Sequence, residues 1–155
     1  MGAALMSGKV ASVFENSASS EAGIFHGYTY SAHPVGAAAV CACLSETQRI
    51  STKDNAGVRG KQLYEGIQRL KKKFDVIGDV RGGQGLMAAI EVVSDPNKKT
   101  PMDMDTMKKL HQKTYEAGAM VRLGLNNILM SPPLVISEAE IDQILDALDY
   151  GFSSI

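Results

Sequence analysis

The chain has 155 residues, of which 45% are apolar and 21% charged, and its formal net charge is −1. That near-neutral balance excludes the basic footprint of a nucleic-acid-binding domain. No apolar run approaches the ~20 residues that cross a bilayer, and the first residues lack the basic and apolar regions of a secretory signal, so neither a membrane nor export is expected.

Residues 1–6 are small and apolar and are expected to form a buried strand, after which Ser7 caps a short helix carrying Val10, Val13 and Phe14. From Glu15 to Gly27 the composition shifts to Asn, Ser, Glu and Gly, which favours a loop. His33-Pro34 opens the next helix, since proline suits a first helical position, and the small residues from Val35 to Leu44 predict tight packing as far as about Thr52. Within it, Cys41 and Cys43 are the only cysteines. At i and i+2 they point to different faces and make neither a metal site nor a disulfide. Free thiols without a signal sequence favour the cytoplasm.

A second helix is expected from about Asn55, with Leu63, Ile67, Leu70 and Phe74 on one face and Lys71 to Lys73 as a solvated last turn that complements the helix dipole. Two apolar runs follow, Val76 to Val80 and Leu86 to Val93, parted by Arg81-Gly-Gly-Gln-Gly. Those glycines could be mistaken for a phosphate loop. They lack the required lysine and have a strand on both sides, so they predict a strand reversal. The stretch Asp95 to Pro101 reads as an exposed turn.

A third helix spans about Asp103 to Ala117, with Met107, Leu110 and Thr114 on one face and Gly118 as its stop. His111 lies on this helix at a position expected to be exposed. Ala119 to Arg122 and Ile128 to Met130 read as short strands around Gly124-Leu-Asn-Asn, and Pro132-Pro133 ends them. Ser137 and Glu140 form a capping box ahead of a helix whose stripe is Ile141, Ile144, Leu145, Leu148 and Phe152. Alternating helices and strands without repeats indicate an α/β or α+β domain.

One segment is more specific than any of these patterns. Ile24-Phe-His-Gly-Tyr-Thr-Tyr-Ser-Ala-His-Pro resembles the H-G-[FY]-T-Y-S-[GA]-H-P block of class III (omega-transaminase type) aminotransferases. Three further blocks stand in that family's order: Gly2-Ala-Ala-Leu-Met-Ser, Val80-Arg-Gly-Gly-Gln-Gly-Leu-Met-Ala-Ala-Ile-Glu, and Arg122 followed by Ile128-Leu-Met-Ser-Pro-Pro-Leu. The resemblance covers essentially the whole chain.

It implies the type I fold of pyridoxal-phosphate transferases, with residues 1–40 as the tail of the large cofactor-binding domain and 41–155 as the small C-terminal α+β domain. It also implies a homodimer that moves an amino group between an amine or amino acid and a keto acid, with pyridoxal phosphate as cofactor. In the family that cofactor is held on a lysine just upstream of the Gly-Ala-Ala-Leu-Met-Ser block. No catalytic residue is therefore expected within this chain, and alone it is expected to be inactive. Lys9, the nearest lysine, belongs to the helix beyond the block and reads as a surface residue.

Two contacts carry over by the same resemblance. Thr29, flanked by Tyr28, matches the threonine that bonds the cofactor phosphate from the neighbouring subunit. Arg122 matches the arginine that holds the substrate carboxylate, a bidentate task suited to a planar guanidinium. His26 and His33 have no nucleophile or acidic partner in sight and read as structural, and no metal site is expected. The competing readings are a noncatalytic dimerisation module, or part of a related aminomutase or decarboxylase.

Overall fold

The structure is a computed structural model that describes residues 2–19, 23 and 27–155. The chain divides into two compact units, Met1–Arg49 and Ile50–Ile155.

In the first unit the described residues hold two helices, α1 (Gly8–Glu15) and α2 (Pro34–Arg49). Ser7 caps α1 as expected, its side chain accepting from the Val10 N–H. Residues 2–6 differ from expectation: they form no strand and are exposed, Leu5 at 93%. A strand needs ladder partners for its backbone groups, and the described residues of this unit offer only helices. None of those residues is buried.

α2 stops at Arg49 rather than Thr52, and α3 starts at Thr52 rather than Asn55 (Thr52–Lys73). Between them Ser51 takes a left-handed conformation, φ 50°, and its carbonyl accepts from the Asp54 and Asn55 N–H groups at 3.0 and 3.2 Å. Ser51 is thus the N-cap of α3.

The second unit continues with β1 (Ile77–Arg81), β2 (Ala88–Asp95), β3 (Thr100–Pro101), α4 (Met104–Glu116), β4 (Arg122–Gly124), β5 (Asn127–Met130) and α5 (Glu138–Phe152). The strands form one antiparallel sheet in the order β1-β2-β5-β4, with β3 beside β2. β3 was not anticipated. The chain does turn after Asp95, but Thr100 and Pro101 then pair back onto β2.

Residues alternate across the sheet, as strand geometry dictates. Ala88, Ile90 and Val92 of β2 and Ile128 and Met130 of β5 are buried, within one cluster with Leu63 and Ile67 of α3, Met107 and Leu110 of α4, and Ile141 and Leu148 of α5. Each such aliphatic side chain contributes about 1.5–3 kcal/mol by leaving water. All three helical stripes read from the sequence are in this core, and Phe74 stacks on Phe152 with ring centres 5.5 Å apart. Among the described residues of this unit, no helix lays its stripe on the opposite face of the sheet.

Two glycines bring α3 close to the sheet end. A Cβ on Gly60 would collide with the backbone of Gly85, and one on Gly83 would lie 3.1 Å from the Tyr64 ring. Gly82, Gly83 and Gly85 all have positive φ, so the reversal between β1 and β2 uses the freedom expected of it. Among the described residues, no helix is long and apolar enough to cross a membrane.

Candidate functional site

The site is built on the open face of the sheet. Strand register places Arg81 (β1) opposite Ala89 (β2), Ala89 opposite Leu129 (β5), and Leu129 opposite Arg122 (β4), so these four side chains form one row. The next row on the same face is Asp79, Glu91, Asn127 and Gly124. At roughly 4.8 Å per strand spacing, the two arginines start about 14 Å apart.

Their surroundings differ. Arg81 donates to Asn127 Oδ1 at 2.6 Å and to Glu91 at 3.4 Å, and lies 3.6 Å from Asp79. Arg122 is exposed, and among the described residues no carboxylate or carbonyl engages its guanidinium. It stands at a cavity of about 920 Å³ that also includes Met87, Ala89, Met120 and Leu129 from the sheet side and His111, Gln112 and Tyr115 from α4. The result is one uncommitted cation beside a mostly apolar hollow, an arrangement that fits an anionic group on an apolar body.

Two expectations need correction here. Arg122 opens β4 and does not close the run before it, because pairing with β5 begins at Arg122 and leaves Ala119 to Val121 outside the ladder. His111 is half-buried, not exposed: its Nε2–H donates to the Val121 carbonyl at 2.9 Å. The signal was present in the sequence. His111 stands one turn after Met107, on the side of the helix that meets the core.

A smaller cavity of about 470 Å³ lies between the end of α4 and the start of α5. It offers no cation; its one charged residue is Glu140, whose carboxylate accepts from the Ser137 N–H at 2.8 Å and from its hydroxyl at 2.7 Å. Those two bonds, the backbone one first, hold the Glu140 carboxyl below the usual carboxylate range. The larger cavity is therefore the candidate site of this unit.

In the first unit Tyr28 and Thr29 lie in a turn. The Ser31 N–H donates to the Tyr28 carbonyl at 2.9 Å, and the Tyr28 N–H donates to Ser31 Oγ at 3.1 Å. Both Tyr28 and Thr29 are exposed, and among the described residues no protein acceptor takes the Thr29 hydroxyl or the Thr29 and Tyr30 N–H groups. A hydroxyl beside two adjacent N–H groups is a donor set that fits the phosphate of pyridoxal phosphate. His33 caps α2: the Gly36 N–H donates to its Nδ1 at 3.2 Å. His26 lies outside the described residues. Among those residues no His, Cys, Asp and Glu cluster could hold a metal.

Comparison with known proteins identifies the family. The family model for Aminotransferase class-III matches residues 1–150. The chain is 33% identical over 82% of its length to an alanine–glyoxylate aminotransferase 2 homologue of Arabidopsis thaliana, and 30% identical over 84% to a leucine/methionine racemase of Thermococcus litoralis. An amine transaminase from an uncultivated Pseudomonas species, solved in its PLP-bound form, superposes with a TM-score of 0.88 at 35% identity over 95% of this chain. The chain spans 27% and 29% of the two relatives and 33% of that solved structure. The type I transaminase fold expected from the motifs is thus the fold found, and the chain belongs to the class-III aminotransferases.

Proposed function

We propose that these residues form the C-terminal part of a pyridoxal-phosphate-dependent omega-transaminase that moves an amino group between an amine or amino acid and a keto acid. The observation that carries this reading is the Arg122 guanidinium, without a partner among the described residues, beside an apolar hollow. Arg122 pairs with the substrate carboxylate through two parallel N–H donors, which fixes orientation as well as charge. Ala89, Leu129 and Met87 seat the apolar part and exclude water from it. Thr29, flanked by Tyr28, donates from its hydroxyl to the cofactor phosphate of a neighbouring subunit in a homodimer. When bound, pyridoxal phosphate supplies the electron sink for the transfer. The lysine that anchors it comes from outside residues 1–155, residues 1–40 are the tail of the large domain and 41–155 the small one, and the enzyme works in the cytoplasm.

The test uses the longest reading frame that contains this chain. Alanine should form from pyruvate and an amine donor, and Arg122→Ala should raise the KM for pyruvate by more than about tenfold, the effect of losing a charge-assisted pair. Absence of transfer, or an unchanged KM, would sink the reading.

A second reading, a noncatalytic dimerisation module, draws on the first unit. There Leu5, Val13, Val35 and Leu44 are all more than half exposed, an apolar surface of the kind that associates. Sedimentation of the chain as a well-behaved monomer would count against that reading.

A further inference from the structure

Among the described residues Arg122 has no side-chain partner to aim it, so its direction depends on how its backbone is held. Downstream the ladder with β5 holds it, from the Arg122 and Leu129 pair onward. Upstream, Ala119, Met120 and Val121 lie outside any strand. That short run is tied to α4 at both ends. The Ala119 N–H donates to the Thr114 carbonyl at 3.2 Å, and His111 Nε2–H donates to the Val121 carbonyl at 2.9 Å.

The second tie is the one adjacent to Arg122. A carbonyl can only accept, so Nε2 must carry the proton. The histidine itself is set firmly: it follows the fully buried Leu110 and stands one turn after the fully buried Met107. Val121 is buried too, so the bond joins two anchored points. His111 and Arg122 also border the same cavity.

We infer that His111 is a positioning residue for Arg122: by holding the Val121 carbonyl, it fixes the start of β4 and so the angle at which the guanidinium meets a carboxylate. The inference rests on the proposed role of Arg122 and deepens it. A preorganised site loses binding when its supporting bond is removed, although no contact to the ligand changes.

The test titrates the ¹⁵N-labelled 155-residue chain with butyrate, a simple monocarboxylate, and follows the Leu129 amide and the Arg122 Nε–H. His111→Gln keeps an N–H donor, while His111→Leu keeps bulk and removes the donor. Butyrate affinity should fall about tenfold in the leucine variant and stay within about twofold of wild type in the glutamine variant. A leucine variant that binds like wild type overturns the role of His111, as does a glutamine variant as weak as the leucine one. Arg122→Ala separates the two layers. If it binds butyrate like wild type, the carboxylate reading itself fails and this inference with it; if it alone loses binding, only the role of His111 fails. Should the leucine variant not fold, the wild-type ¹⁵N spectrum of His111 still decides, since a ring protonated on Nδ1 alone overturns the proposal.

Discussion

Arg81 and Arg122 share one row of the open sheet face at opposite ends and both border the cavity, yet Arg81 is tied to Asp79, Glu91 and Asn127 while Arg122 has no partner among the described residues. Equal formal charge therefore does not mean equal availability. Arg81→Ala should leave butyrate affinity within about twofold and lower stability by no more than ~1 kcal/mol, because the ion pairs it loses are half-exposed. Arg122→Lys should bind butyrate more weakly than wild type, since an ammonium keeps the charge but not the two-pronged geometry. Parallel titrations and urea melts check both, and a large loss in Arg81→Ala would contradict the assignment.

The approach of α3 to the β1–β2 reversal gives a paired test. Gly60→Ala sets a methyl group against the Gly85 backbone, which cannot rotate away, and should cost about 3 kcal/mol. Gly57→Ala on the same helix meets nothing within 4 Å and should stabilise by about 0.5–1 kcal/mol. Urea unfolding midpoints of opposite sign are expected. A neutral Gly60→Ala would mean that this crossing is looser than described.

Acid should weaken the second unit through its helix starts. The Asp103 carboxyl is held low chiefly by the Thr106 N–H, then by the Thr106 hydroxyl, and Glu140 is held low by Ser137. Both native values lie below the unfolded ones, so the stabilisation is present above the ordinary carboxylate range near pH 4 and is lost as pH falls through the lower native values. Thermal melts should show Tm falling below about pH 4, and Glu140→Gln should flatten part of that fall. A Tm that rises on acidification would contradict this account.

Lys9 occupies the exposed first turn of α1. Pyridoxal phosphate followed by borohydride should label it no more than other exposed members of the eleven lysines. A stoichiometric adduct on Lys9, mapped by mass spectrometry, would give this chain an anchor of its own and overturn the reading of Lys9 as a surface residue.

Local chemistry was readable from the residues and long-range pairing was not. The Ser137 and Glu140 capping box, the Gly118 stop with φ 101° and the Met107, Leu110 and Thr114 stripe each depend on neighbours a turn away, and each was found in place. Ser51, Lys99 and Leu125 adopt positive φ without being glycine, so composition gave no warning of the α2–α3 break or of either tight turn. The start of β4 at Arg122 and the existence of β3 are decided by partners on other strands. For the site, motif resemblance singled out Arg122, whereas the role of His111 depends on the Val121 carbonyl, a partner ten residues away that periodicity does not reveal.

The β4–β5 turn has only Leu125 and Asn126 at its tip, and it is pinned to β2: the Val92 N–H donates to the Asn126 carbonyl at 2.8 Å, and Asn126 Nδ2 donates back to Val92 at 3.2 Å. Side chains on a strand point up and down by turns, so sliding β4 by a single position would drive the Arg122 charge toward the oily layer. An asparagine hairpin tip on the far side of the strand thus acts as the latch that keeps a positive group on the wet side.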